Sequence, residues 1–95
     1  MPAYMVFEEV VHDHAMFDEY RKDVPTMVAA HGGRFIVRGG NLTVMEGEWP
    51  FPRFVVIEFP TRAAAEAWYH SPEYQKVLPL RLKSTTGNCM LVDGV

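Results

Sequence analysis

Gly32-Gly33-Arg34-Phe35-Ile36-Val37-Arg38-Gly39-Gly40 and, after a spacer holding Glu46-Gly47-Glu48-Trp49, Arg53-Phe54-Val55-Val56-Ile57-Glu58-Phe59-Pro60 form the stretch that decides the fold. Each half is an aromatic and β-branched run bracketed by glycine or proline, the composition of a strand between turns. Alternation puts Arg34, Ile36 and Arg38 on one face of the first run and Phe35 and Val37 on the other. The second run divides into Phe54, Val56 and Glu58 against Val55, Ile57 and Phe59. Phe35, Val37, Val55, Ile57 and Phe59 therefore make the natural helix-packed side. The opposite side mixes charge with aliphatic surface. Burying an isolated charge is costly, so Arg38 and Glu58 written into strands imply a charge pair, a wet cavity or a bound ligand.

Outward from this centre the pattern repeats. Ala3–Val11 reads as a strand ending at His12-Asp13-His14. Asp13 caps a helix whose apolar positions Phe17, Tyr20, Val24, Met27 and Val28 recur at helical spacing until Gly32-Gly33 stops it, and Pro25 predicts a bend or break inside it. Gly33–Arg38 is the second strand, and Leu42–Trp49 reads as a short hairpin-like extension turning at Gly47. The near-continuous apolar core of Arg53–Phe59 predicts a central third strand covered on both faces. Thr61 caps a helix through Tyr69, and Ser71-Pro72-Glu73 restarts a helical piece toward Leu80 or Leu82. Asn88–Asp93 closes the chain as the last strand.

The order strand, helix, strand, strand, helix, strand defines an α+β, ferredoxin-like architecture, an antiparallel four-stranded sheet with both helices on one face. Its second face, expected to carry Arg34, Ile36, Arg38, Val56 and Glu58, needs a cover, and another copy of the same sheet supplies one. A homodimer is the expected assembly.

At 95 residues, with 48% hydrophobic residues, the chain is one domain spanning 1–95, too apolar to be disordered. A net charge of −3 with scattered Lys and Arg offers no basic stripe, which argues against nucleic acid as a partner. No uncharged apolar run approaches the roughly 20 residues of a membrane span. The single cysteine, Cys89, and the absence of secretory features in Met1-Pro2-Ala3-Tyr4 lead to the expectation of a cytoplasmic protein.

The run Gly32-Gly33-Arg34 to Arg38-Gly39-Gly40, with Glu46-Gly47, Trp49, Arg53 to Glu58-Phe59, Ala67-Trp68 and Ser71-Pro72-Glu73-Tyr74, resembles the domain-of-unknown-function family 1330 of the dimeric α/β barrel superfamily. The resemblance implies a ferredoxin-like subunit whose sheet pairs with that of a second subunit to form a barrel. It also implies a superfamily that includes cofactor-independent monooxygenases, haem-degrading enzymes, muconolactone isomerase-like proteins and ligand-sensing modules, so the fold does not select a function.

Arg38 and Glu58 are the first candidates for ligand binding, since a guanidinium offers a planar fork to a carboxylate; the same two residues equally read as a structural pair. Arg34, Arg53 and Arg81 are further candidates for the same cleft. Trp68, Tyr69 and Tyr74, with Trp49 and Phe51, offer aromatic walls over the sheet, and Trp68 also reads as core. His12-x-His14 has chelating spacing but only Glu8, Glu9 and Asp13 to complete a shell, so no metal is expected. His31 and His70 read as helix-end residues and as proton shuttles in an enzymatic reading. Ser84, Thr85 and Thr86 lack any nucleophile motif, Cys89 reads as inert packing, and no dinucleotide or phosphate-loop fingerprint is present. The expected function is binding or transformation of a small organic molecule between sheet and helices, without a cofactor. A non-catalytic structural or ligand-sensing dimerisation module is the alternative, and haem or metal binding a third reading.

Overall fold

β1 (Ala3–Val11), α1 (His14–Arg21), α2 (Val24–Ala30), β2 (Arg34–Arg38), β3 (Arg53–Phe59), α3 (Arg62–Tyr69), α4 (Pro72–Ser84) and β4 (Thr85–Asp93) follow one another in a computed structural model describing residues 1–95. The helix starts lie where short polar side chains can serve first-turn amides that have no intrahelical partner. Asp13 Oδ1 accepts from the Met16 amide at 3.1 Å, Thr61 Oγ1 from Ala64 at 3.1 Å, and Ser71 Oγ from Tyr74 at 3.2 Å. Pro25 breaks the first helix: α1 stops, and Pro25 falls in the first turn of α2, where an amide hydrogen would go unpaired.

The sheet order is β2-β3-β1-β4, with every neighbouring pair antiparallel. Met5 and Phe7 of β1 and Val55, Ile57 and Phe59 of β3 are buried beneath the helices, with Phe17, Val24, Val28, Trp68 and Tyr74 packed onto them. Trp68 is the hub, its ring centroid 4.2 Å from that of Tyr74 and 5.6 Å from that of Phe59. No helix is long and apolar enough to cross a membrane.

Four expectations are corrected. The central strand β3 is covered on one face only in the single chain; Phe54, Val56 and Glu58 remain half-exposed. Leu42–Trp49 forms no hairpin: without a third strand or a helix to pack on, a two-stranded ribbon is marginal, and Trp49 instead sets its ring edge against Phe51 and Phe54. α4 continues to Ser84 and β4 begins at Thr85 rather than Asn88, because Thr85 and Thr86 pair with Val11 and Val10 while Thr85 Oγ1 donates to the Arg81 carbonyl at 2.7 Å. The fourth correction is a β-bulge. Arg34 pairs with Glu58 and Phe35 with Ile57, but Val37 then meets Val56 and Arg38 meets Val55, leaving Ile36 as the extra residue. Directly paired residues share a face, so the bulge turns Arg38 to the helix-covered side and Val37 to the open side. Arg38 and Glu58, expected on one face, lie on opposite faces.

Candidate functional site

Beyond the bulge, Arg38 reaches the rim of a cavity of about 360 Å³ between the inner sheet face and α1, α2 and α4. Its floor and walls are largely apolar, including Phe7, Phe17, Phe35, Val55 and Ile57. Into this space the chain places one carboxylate and several guanidiniums. Glu9 sits on the inner face of β1 with a side chain only 4% exposed. Arg53, its register partner on β3, brings Nε to 3.4 Å from Glu9 Oε1. Arg81, on the buried side of α4, brings Nη1 to 4.0 Å from Glu9 Oε2 and donates from Nε to the Tyr74 hydroxyl at 3.3 Å. The Tyr74 hydroxyl in turn meets that of Tyr20, on α1, at 2.8 Å. Ion-pair contacts from Arg53 to Glu9 and from Glu9 to Arg81 thus continue into the hydrogen bonds of the tyrosine pair, and within this chain Glu9 Oε2 and Arg53 Nε are buried without a hydrogen-bond partner.

Aromatic faces steer the guanidiniums. Arg38 lies 4.8 Å over Phe35, Arg53 5.0 Å over Phe17 and Arg81 5.1 Å over Phe7, within the range of cation–π attraction. Burial pushes the Glu9 carboxyl above its ordinary range, with Arg81 and Arg53 pulling it partly back. Burial also raises the Tyr20 hydroxyl well above its usual value and the Tyr74 hydroxyl more modestly. The Cys89 thiol is pushed up to about 11 by burial, against the pull of Arg81. At neutral pH the tyrosines and the cysteine are uncharged, and four guanidiniums line the cavity with one carboxylate, Arg21 being paired outward with Asp18 at 3.0 Å.

The model of the domain of unknown function DUF1330 matches residues 2–95. The chain belongs to this family. No curated protein matches it. Among solved structures, this DUF1330 chain is similar to RPA0582, a protein of unknown function from Rhodopseudomonas palustris, with a TM-score of 0.79 and 14% identity over 99% of this chain and 82% of that one. It is similar also to SnoaB, a cofactor-independent oxygenase from Streptomyces nogalater, with a TM-score of 0.66 and 16% identity over 99% and 93% of the two chains. An antibiotic biosynthesis monooxygenase gives 0.60 and 14%, over 100% and 99%. At these identities the likeness is one of fold, the ferredoxin-like fold of dimeric α/β barrel proteins.

Of the residues singled out in the DUF1330 sequence, Arg38, Arg53 and Arg81 converge on the cavity. Arg34 and Glu58 do not: they pair across the open face at 2.8 Å, with the Tyr4 hydroxyl 3.4 Å from Glu58 Oε2. Register before the bulge gives Glu58 the arginine four residues ahead of the one expected. Trp68 is fully buried core, and Tyr74 contributes its hydroxyl to the polar chain while its ring packs on Trp68. Trp49 and Phe51 stack by Phe54, on the other side of the sheet from Trp68, and form no common aromatic wall with it. His31 Nδ1 lies 3.0 Å from the Met27 carbonyl at the end of α2, His70 ends α3 against Tyr69, and neither lines the cavity. No group of three His, Cys, Asp or Glu side chains is placed to hold a metal ion. Ser84 is buried, its hydroxyl 3.4 Å from the Arg81 carbonyl.

Glu9 and Tyr20 were not among the candidate ligand-binding residues. The signal for Glu9 was nonetheless present, since Glu8-Glu9 interrupts an apolar strand as Arg38 and Glu58 do. Register separates the two acids: Glu9 faces the cavity, whereas Glu8, also buried, lies on the open face of the sheet and accepts from Asn88 Nδ2 at 2.8 Å.

Proposed function

We propose that this DUF1330 protein is a cytoplasmic homodimer that binds or transforms a small organic anion, without a cofactor, in the cavity between sheet and helices. The observation that carries this reading is the charge imbalance at the cavity, where Arg38, Arg53 and Arg81 face the single buried carboxylate of Glu9. Small-molecule sites are typically apolar clefts with a few convergent polar groups, and the volume here lies at the small end of their range. The description of SnoaB as a cofactor-independent oxygenase supports the reading by analogy of fold. Homodimerisation is supported by the open sheet face, where Val37, Met90 and Val92 are exposed beside half-buried Val6, Phe54 and Val56.

Thermal shift across small carboxylic acids and their neutral amides tests the site, because a ligand that binds only the folded state raises the melting temperature. Acids are expected to stabilise the protein and amides not, and Arg38→Ala is expected to remove the response. Equal responses to acid and amide would sink the anion reading. Light scattering tests the assembly: the wild type is expected to be dimeric and Val56→Glu monomeric, and a wild type that is monomeric at micromolar concentration would sink it.

A further inference from the structure

We propose that Glu9 is a catalytic base that moves a proton at the carbon next to the carbonyl of a 2-oxo carboxylate, so that the cavity interconverts keto and enol forms. The inference rests on the anion-binding reading above and adds to it a substrate class and a reaction.

Three features of the cavity lead there. Glu9 Oε2 is buried, borders the cavity and has no hydrogen-bond partner, so its lone pairs are free to accept a proton. A buried carboxylate whose partners were purely structural would be expected to have both oxygens satisfied. Arg38, at the mouth, has no carboxylate within ion-pair distance and is held only over the Phe35 ring, which leaves its fork for a substrate carboxylate. Arg53 lies beside the base and provides positive charge where a carbonyl oxygen becomes an enolate. The two tyrosine hydroxyls bond to each other and to Arg81, and their raised proton affinities make them neutral groups rather than bases. The apolar lining accepts an aromatic or aliphatic substituent on the acid.

The step balances without an oxidant or reductant. Glu9 takes the proton, the C–H electron pair becomes the carbon–carbon double bond, and the carbonyl π pair moves onto oxygen beside the guanidinium. Return of the proton to oxygen gives the enol, and return to carbon restores the ketone. In heavy water the same cycle replaces the carbon-bound hydrogen by deuterium.

Proton NMR of phenylpyruvate in heavy water therefore reads the reaction, with thermal shift by phenylpyruvate read in parallel. The wild type is expected to accelerate loss of the methylene signal by at least roughly a hundredfold over buffer. Glu9→Gln is expected to return exchange to the buffer rate while keeping the thermal shift, Glu9→Asp to restore part of the rate, and Arg38→Gln to raise KM more than it lowers kcat. The wild-type rate is also expected to rise with pH as one carboxyl ionises above the ordinary glutamate range. The charged and titratable groups around that carboxyl are Arg53 on β3, Arg81 and Tyr74 on α4, Tyr20 and Arg21 on α1, Cys89 on β4 and Arg38 on β2. This profile keeps the test decisive if Glu9→Gln does not fold. Binding of phenylpyruvate without accelerated exchange overturns the proton-transfer proposal and leaves anion binding intact. Undiminished exchange in Glu9→Gln, or a rate flat across the carboxylate range, overturns the role of Glu9. Absence of any response to phenylpyruvate or to other small acids overturns both readings.

Discussion

On the open face of the sheet Arg34 Nε lies 2.8 Å from Glu58 Oε1, with the arginine side chain 73% exposed; on the covered face Arg53 and Arg81 lie 3.4 and 4.0 Å from a Glu9 that is almost fully buried. Distance alone ranks the outer pair as the stronger. Environment reverses the order, because water screens the outer pair and long side chains lose entropy in holding it, leaving about 0 to 1 kcal/mol. The inner charges attract in a medium of low dielectric constant and have nowhere else to go once a partner is removed. The lesson is that the shorter contact decorates the surface, while the longer ones hold charge in a place where it can act.

Arg81→Ala tests this contrast most severely. It leaves Glu9 with one arginine and Tyr74 without its donor, and a loss of about 3 to 5 kcal/mol in urea unfolding is expected, as for other broken buried pairs. A loss under about 1 kcal/mol would place the inner network on the same footing as the outer pair.

A smaller effect is expected from pH. Burial holds the Glu9 carboxyl above its ordinary 4.5, so the folded protein keeps this proton at pH values where the unfolded chain has released it. The Glu9 contribution to stability is therefore greatest below that ordinary value and is lost as pH rises from it to the folded value. Glu9→Gln should lack this component, so the stability difference between variant and wild type, measured by urea midpoints between about pH 4 and pH 7, should shift in favour of the variant as pH rises. A difference constant across that window would show that Arg53 and Arg81 fully offset burial.

The smallest effects belong to the outer face. In a double-mutant cycle, Arg34→Ala and Glu58→Ala should each cost at most about 1 kcal/mol and couple by a few tenths. Arg38 and Glu58 should show no coupling beyond error. A coupling of about 1 kcal/mol or more between them would mean that β2 and β3 pair in another register in solution, with Arg38 rather than Arg34 beside Glu58.

The fold was legible because period-two runs, helix caps and a proline at the start of α4 all pointed to one order of elements. The convergence of Arg38, Arg53 and Arg81 was legible in part: Arg38 and Arg53 were charges in largely apolar strands, whereas Arg81 shares α4 with Glu73, Gln75, Lys76 and Lys83. What the sequence hid was register. Nothing in Arg34-Phe35-Ile36-Val37-Arg38 marks Ile36 as the extra residue, and alternation counted straight through it assigns Arg38 to the wrong side. Glu9 was hidden differently. Its neighbour Glu8 is chemically identical and is buried as well, and only pairing with β3 and β4 shows which of the two faces the helices. Trp49 and Phe51 were misplaced because loop residues 39–52 carry no periodicity from which to infer a face.

The bulge at Ile36 also separates chain length from facing. A strand with one residue fewer between Phe35 and Arg38 would still aim the arginine into the cavity, now by straight pairing, whereas a one-residue deletion between Val55 and Glu58 would turn part of β3 inside out. In an alignment of relatives, a single gap after the position of Phe35 is thus compatible with an unchanged site, and the arginine to compare is the one that falls opposite Val55 rather than the one at a fixed count from Gly33.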